Sequence, residues 1–363
     1  AVSGISLVDS INVLPINIFS ALATGGAVVG AQYLGKRDRE SACEAAKQLV
    51  LAVAALSLVI AAFALVAKDW LLQIIFGHVE AAVMANAQVY FFLSALSYPF
   101  LAIYNAGAAL FRAMGNSKIS MLISGGMNII NIVGNAILIF GFHLDVAGAA
   151  IASLISRIAG CVVIMILLMK PVHEIFIKSL FPLKINWEMI RNILRIGVPN
   201  GLENSMFQFG KILVQGLVSS FGTAAIAANA VAGNVAALEI IPGSSLGLAT
   251  ITVIGQCVGA RDYDSAVKYT KKLMLITYVF TAALNLPLLL LIPSIVSFYS
   301  LSGEAMTLAI ELLIFHGICT TIIWPLGFTL PNALRAANDV KYTMIVSIVT
   351  MWIFSCIFPP PYA

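Results

Sequence analysis

Charge is scarce in this chain. Only 10% of its 363 residues are Asp, Glu, Lys or Arg, where a soluble domain carries roughly 25%, and so little charge excludes a water-soluble domain of ordinary make-up. The net charge of +4 is too small and too dispersed for a nucleic-acid footprint. The five cysteines, Cys43, Cys161, Cys257, Cys319 and Cys356, show no CxxC or ligand spacing, which argues against a disulfide framework and a metal site alike. No GxxxxGK[ST] run occurs, so the chain is not a nucleotide-driven pump in itself. Histidine is limited to His78, His143, His173 and His316, and of these only His316 falls inside a long apolar segment. An intramembrane enzyme would need clustered His/Asp/Glu ligands or a Ser/His pair, and these four do not supply them.

What the chain has instead is apolar length. Hydrophobic residues make up 61%, gathered at about 6–33, 44–66, 84–113, 118–141, 146–170, 189–220, 226–258, 267–292, 305–334 and 341–358. About 20 apolar residues in a helix cross the ~30 Å hydrocarbon core of a bilayer. The pattern therefore predicts an all-α, polytopic membrane protein of about ten helices. Every second connection is basic: Lys36, Arg37, Arg39 and Lys47; Arg112 and Lys118; Lys170, Lys178, Lys184, Arg191 and Arg195; Arg261, Lys268, Lys271 and Lys272; Arg335 and Lys341. The connections between them hold only Lys68. Cytoplasmic loops carry the Lys/Arg excess, so the basic set is expected inside the cell and residue 1 outside, in the plasma (inner) membrane. That parity, with a chain that starts in an apolar run at Ala1 and closes on Pro359, Pro360 and Pro361, reads as a protein lacking one helix at each end.

The second half echoes the first. Gln32-x-x-Gly35-x-Arg37-Asp38 returns 224 positions later as Gln256-x-x-Gly259-x-Arg261-Asp262, and Glu80 returns as Glu304 at the same offset. Arg112-Ala113 and Lys118 return at 223 as Arg335-Ala336 and Lys341, and Leu22-Ala-Thr24 at 226 as Leu248-Ala-Thr250. Matches at one offset, each at the same place relative to an apolar segment, define a repeat. Six helices separate the copies, so both run the same way through the membrane, a parallel repeat of the kind secondary transporters use. The expected division is residues 1–170 as a first lobe, 171–188 as a linker of alternating apolar and charged residues that lies in the membrane interface, and 189–363 as a second lobe. Each would be one half of a pseudo-symmetric pair of six-helix lobes.

These motifs, with Phe111-Arg-Ala-Met-Gly115-Asn, Val146-Ala-Gly-Ala-Ala150 and Gly197-Val-Pro199-x-x-x-Glu203, resemble the multidrug and toxic compound extrusion (MATE) family, from its second helix to its eleventh. The resemblance implies two six-helix lobes forming a V. It also implies an antiporter that exports cationic or amphiphilic organic compounds against entry of Na⁺ or H⁺. The expected partners are such small molecules and the bilayer, with no nucleic acid, no cofactor beyond the coupling ion, and a monomeric state. The family's first-lobe cation site falls on Asn131 and Asn135, where many members have Asp at the second position. A lipid-precursor flippase of the same superfamily is the alternative; it calls for a more cationic cavity.

A charge at mid-bilayer costs about 2.5–3.5 kcal/mol on insertion scales, so Asp9, Arg157, Glu203, Lys211, Glu239 and Glu311 each ask for a reason, with His316 as a neutral companion. Four acids against two bases suit a cationic cargo; the competing reading is that some pair as structural ties. Glu203, behind Pro199, and Glu239, three residues before Pro242, are the chosen ion-binding acids. Asn131 and Asn135 share a helix face, where two readings stand: ion coordination, or hydrogen bonding that holds a neighbouring helix. Neither Asn titrates between pH 5 and 8, whereas a buried carboxylate can. Arg37, Arg112, Arg261 and Arg335 are expected to anchor helix ends. Tyr98, Met127, Phe207, Phe209 and Trp324 are either cavity lining or ordinary packing.

The charge bias makes a topology prediction. Cysteines placed at 37–44, 113–118, 171–188, 260–270 and 336–341 should label only from the cytoplasmic side, and those near 68–82 and 299–304 only from outside. Labelling of 171–188 from outside would reverse the orientation.

Overall fold

The computed structural model describes residues 2–76, 79–181, 183–299 and 301–357. Readings that rest on Ala1, His78 and 358–363, including the proline triplet and Phe358 as the counterpart of Asn135, lie outside the described residues. Every regular element among the described residues is helical. By its internal contacts the chain separates into two units, Ala1–Gly201 and Leu202–Ala363.

The first unit holds α1 (Val2–Gly35), α2 (Arg39–Val66), the short α3 (Lys68–Phe76), α4 (Ala81–Ala113), α5 (Ser117–Asn135), α6 (Asp145–Leu168) and the beginning of α7 (Trp187–Ser219). Its centre is α4, which packs on α1, α2, α5 and α6 and buries Phe91, Tyr98, Leu110 and Phe111. Small residues let the backbones close: Ala95, Ala102, Ala106 and Ala109 of α4 are buried too. The stretch 171–188 is part of this unit and is tied down. The Arg39 guanidinium donates to the carbonyls of Pro171, His173 and Glu174 at 3.0, 2.7 and 2.9 Å. Gln48 donates to Lys184 O and accepts from Asn186 N. Within the stretch, Ile175 and Ile177 are buried.

The second unit takes the rest of α7, then α8 (Thr223–Glu239), α9 (Ile241–Gly259), α10 (Tyr263–Ser297), α11 (Gly303–Trp324), α12 (Leu330–Ala336) and α13 (Val340–Ile357). Here α11 packs on α8 and α10, and α9 on α10 and α12. The span expected over 226–258 is broken at Ile240 into α8 and α9, because Pro242 opens the second helix and cannot sit inside a continuous one. Pro325 has a different effect: the helix continues through a π-helical turn at Pro325–Thr329 into α12, the local widening that relieves a lost backbone hydrogen bond. A second π-helical turn, Ala136–Gly141, ends α5.

Eight helical stretches among the described residues are long and apolar enough to span a membrane. The remaining two expected segments are α7, which carries Glu188, Arg191, Arg195, Glu203 and Lys211, and α13, apolar over its described Val340–Ile353. Large apolar side chains are turned outward along the spans, Phe63 at 61% and Leu290 at 83% exposure among them. In water such a surface would aggregate; in lipid it is the solvated surface. The protein is a multi-pass helical membrane protein.

The repeat is written into the backbone. Arg37 and Arg261 both turn left-handed, at φ 58° and 60°, and Gly115 and Asn338 do so at 74° and 69°. At each turn the hydrogen bonds coincide: Asp38 N to Tyr33 O matches Asp262 N to Cys257 O, and Asn116 N to Phe111 O matches Asp339 N to Leu334 O. These are helix C-terminal turns that satisfy the last free carbonyls. Asp38 and Asp262 then cap the next helix, each accepting from the backbone N–H three residues on, Ser41 and Ser265, at 3.0 Å. Hydrogen bonds from Ser41 hold the Asp38 carboxyl below the usual carboxylate range, and those from Ser265 do the same for Asp262. Their contribution is therefore present at neutral pH and lost as acid protonates them.

Gly25 of α1 marks a close crossing of backbone on backbone. A Cβ there would stand 2.5 Å from Ile193 O and 3.0 Å from Gly197 N on α7, whereas at Gly125 of α5 it would meet nothing within 4 Å. Gly25→Ala should lower the stability of the protein in detergent by about 1–3 kcal/mol. Gly125→Ala should raise it by up to ~1 kcal/mol through helix propensity. Thermal melts of the two variants would read the opposite signs; equal melts would show that the crossing is loose.

Candidate functional site

Each unit contains its own buried polar cluster, and the two differ in how well their groups are satisfied. Pro199 sits inside α7 near the end of the first unit, and Glu203, one turn later, belongs to the second. Glu203 Oε2 accepts from Arg335 Nη2 at 2.7 Å, and Oε1 from the Ser347 hydroxyl at 2.8 Å. Arg335 also donates to Asn332 Oδ1 at 2.6 Å. Both charged side chains are about one-tenth exposed. Arg335 thus does more than anchor a helix end: it reaches along its helix to neutralise Glu203, tying α7, α12 and α13 together. Paired in this way, Glu203 is poorly placed to exchange a cation without displacing an arginine.

Glu239 is set differently. It ends α8 where Pro242 breaks the span, and it is fully buried. Its Oε2 lies 2.5 Å from His316 Nδ1 on α11, while Oε1 has no hydrogen-bond partner. The absent side chain at Gly317 makes the room: a Cβ there would stand 3.2 Å from Oε1. The Thr320 hydroxyl is 3.3 Å from His316 Nδ1. On α10, Thr277, Thr281 and Asn285 are all fully buried. Asn285 Nδ2 donates to the Thr321 hydroxyl at 3.2 Å, but Asn285 Oδ1 and Thr281 Oγ1 lack partners. Glu311, five residues before His316, is exposed and stands apart. Sequence reasoning missed the Glu239–His316 pair and the α10 residues. Thr277, Thr281 and Asn285 recur every four positions in an apolar segment, a polar stripe on one helix face that was there to be read.

In the first unit, Asn131 Nδ2 donates to the Ser153 hydroxyl at 3.0 Å, and Asn135 Nδ2 to Asn131 Oδ1 at 3.2 Å. The two Asn therefore bridge α5 to α6, with Asn135 Oδ1 left buried and unpartnered. One turn along α6, Arg157 donates to the Ser97 hydroxyl at 2.5 Å. Tyr98 donates to Asn12 Oδ1 at 2.7 Å, and Asn12 to Asp9 Oδ1 at 3.3 Å, so Tyr98 is held as packing rather than free to line a cavity. Back in the second unit, the Lys211 ammonium lies 5.0 Å from the Phe207 ring centre. Phe207 meets Phe328 edge-on, and Phe328 stacks on Trp324 at 3.9 Å. Among the described residues no three His, Cys, Asp or Glu side chains converge as a metal site would need.

A model of the MatE family matches residues 1–137 and 199–360. The chain belongs to the MatE family. The "Uncharacterized transporter YisQ" of Bacillus subtilis is 26% identical over 362 residues, covering 97% of this chain and 77% of its own. The "Probable multidrug resistance protein NorM" of Thermotoga maritima is 21% identical over 359 residues, covering 97% and 76%. Among solved structures, an outward-facing multidrug resistance MATE transporter of the MOP superfamily superposes at a TM-score of 0.91, with 21% identity over 98% of this chain and 79% of that one. The MatE assignment makes the protein a membrane transporter rather than an enzyme.

Breaking a buried ion pair from one side strands the other charge, at a cost of about 3–5 kcal/mol. Glu203→Ala in this MatE protein should destabilise it by about that much, while Glu203→Gln with Arg335→Gln should cost clearly less than the sum of the single changes. Chemical unfolding in detergent checks this; additive effects would mean that the two groups do not interact.

Proposed function

We propose that this MatE protein is a secondary antiporter of the plasma membrane that exports cationic, amphiphilic organic compounds against entry of H⁺ or Na⁺, working as a monomer. The coupling charge is assigned to Glu239 with His316. The observation that carries the assignment is a fully buried carboxylate with one oxygen on an imidazole and the other unpartnered. Glu203 has both oxygens occupied, by Arg335 and Ser347, whereas Glu239 keeps one oxygen free to accept from an entering group. Proton entry would neutralise the pair, and a cation would replace the proton at the free oxygen. The relatives named as multidrug resistance proteins support the cargo class. Asn131 and Asn135 serve in this reading as the tie between α5 and α6, and Glu203 holds the second lobe together. The flippase alternative is less well supported, since Arg157 and Lys211 face a serine hydroxyl and an aromatic ring rather than an open basic cavity.

Cells expressing the intact protein should accumulate less ethidium, and collapse of the ion gradients should abolish the difference. Glu239→Gln and His316→Gln should each reduce gradient-driven efflux at least about tenfold, the loss of about 1.4 kcal/mol of coupling, with the melting temperature in detergent little changed. Asn135→Ala should be milder. Normal, gradient-dependent efflux by Glu239→Gln would move the coupling elsewhere, and efflux that needs ATP without gradients would end the antiport reading.

A further inference from the structure

The α5–α6 hairpin is tight over one half of its length and open over the other. In the half near the π-helical turn, Gly134 sits against Ala152 and Gly148 against Leu138, where an added Cβ would come within 3.0–3.1 Å, and the Asn131–Ser153 hydrogen bond joins the helices. Below that bond Met127 of α5 still rests against Gly160 of α6, and a groove opens beside that contact. The groove, of about 360 Å³, runs from Ile119 past Leu122 and Gly126 to Ile130 on α5, and along Val163 and Leu167 on α6. Its lining is almost wholly apolar, and at Gly126 an added Cβ would meet nothing within 4 Å. Ile119 to Ile130 spans eleven residues, about 16 Å at 1.5 Å per residue, roughly half the ~30 Å hydrocarbon core. A second transmembrane helix would need the whole length. A single leaflet's acyl chain needs only this half.

The open end is basic. Lys118 precedes Ile119 and Lys170 follows Leu167 by three residues; both are exposed. The only acid on either helix is Asp145, at the far end of the hairpin. The charge bias puts the Lys118 end at the cytoplasmic leaflet, where anionic lipids lie and each nearby Lys attracts them.

From this juxtaposition we infer that the α5–α6 groove binds one anionic phospholipid of the cytoplasmic leaflet, with an acyl chain between Ile119 and Ile130 and the headgroup phosphate between Lys118 and Lys170. The lipid would fill the gap that Gly126 leaves, completing the packing of the least buried span of the first unit.

Native mass spectrometry of the intact protein, exchanged into detergent holding equal phosphatidylglycerol and phosphatidylcholine, tests this. The wild type should keep one phosphatidylglycerol. Gly126→Leu, which projects into the groove, should cut its occupancy about tenfold or more. Lys118→Gln with Lys170→Gln should keep a lipid but lose preference for phosphatidylglycerol about fivefold or more. Gly233→Leu on α8, where a Cβ also meets nothing within 4 Å, is the control and should leave occupancy unchanged. Melting curves in detergent confirm that each variant is folded. Absence of bound lipid, equal occupancy in Gly126→Leu, or a dimer that Gly126→Leu converts to monomer would overturn the assignment.

Discussion

Hydrocarbon offers no hydrogen bonds, so every polar group inside a bilayer-spanning segment must find its partner within the protein. This one constraint sorts the interior of the chain. Arg335 meets Glu203, Arg157 meets Ser97, Asn131 meets Ser153, and Tyr98 meets Asn12. Each contact joins two helices, so the polar residues act as ties between spans whose apolar faces attract one another no more than they attract lipid. Where Pro242 interrupts the backbone ladder, Thr329 donates to the carbonyl of Gly243 at 3.1 Å.

The two halves answer the same constraint alike at their ends and differently inside. At the helix ends the problem is identical in both copies: a chain must turn at the headgroup level and begin the next span. The solutions are identical too, down to the left-handed residue at Arg37 and Arg261 and the Asp cap that follows. Inside, each half is free to place its polar groups where its own packing allows. The first has an Asn pair on α5 and an arginine on α6; the second has a Glu–His pair between α8 and α11 and a Thr/Asn stripe on α10. The repeat keeps one architecture at its turns while the polar groups inside its two halves differ.

Much of this was legible before any coordinates. Apolar length gave the spans, because the bilayer imposes it residue by residue, and the 224-residue offset gave the repeat, because its carriers sit in turns where φ and capping restrict the choice. The bend beyond Glu239 was legible from Pro242. The partners were not. Glu203 and Arg335 are 132 positions apart, and Glu239 and His316 are 77 apart; nothing local in either segment states which distant helix it will meet. Arg335 sits in a motif that reads as a helix-end anchor, and only packing shows its guanidinium turned to a carboxylate. The π-helical turn at Pro325 was hidden for a similar reason: proline announces a lost hydrogen bond, and the surroundings decide whether the helix breaks, as at Pro242, or widens.

The polar clusters differ in where they leave atoms unsatisfied. A buried donor or acceptor without a partner costs about 1–3 kcal/mol, and the ties carry such atoms too, at Asn135 Oδ1 and Arg335 Nε. Glu203 uses both of its oxygens. On α8 and α10 the pattern differs: Glu239 Oε1, Asn285 Oδ1 and Thr281 Oγ1 are all buried and all unpartnered. Neutral packing would have been more stable with an apolar side chain at position 239, since replacing a buried charge by a well-packed hydrophobic residue is commonly neutral or better. The unpartnered carboxylate oxygen stands where the helix is already broken and where Gly317 leaves room; under the proposed function, relief of its cost by a proton or a cation is what would bias the conformation of the helices around it.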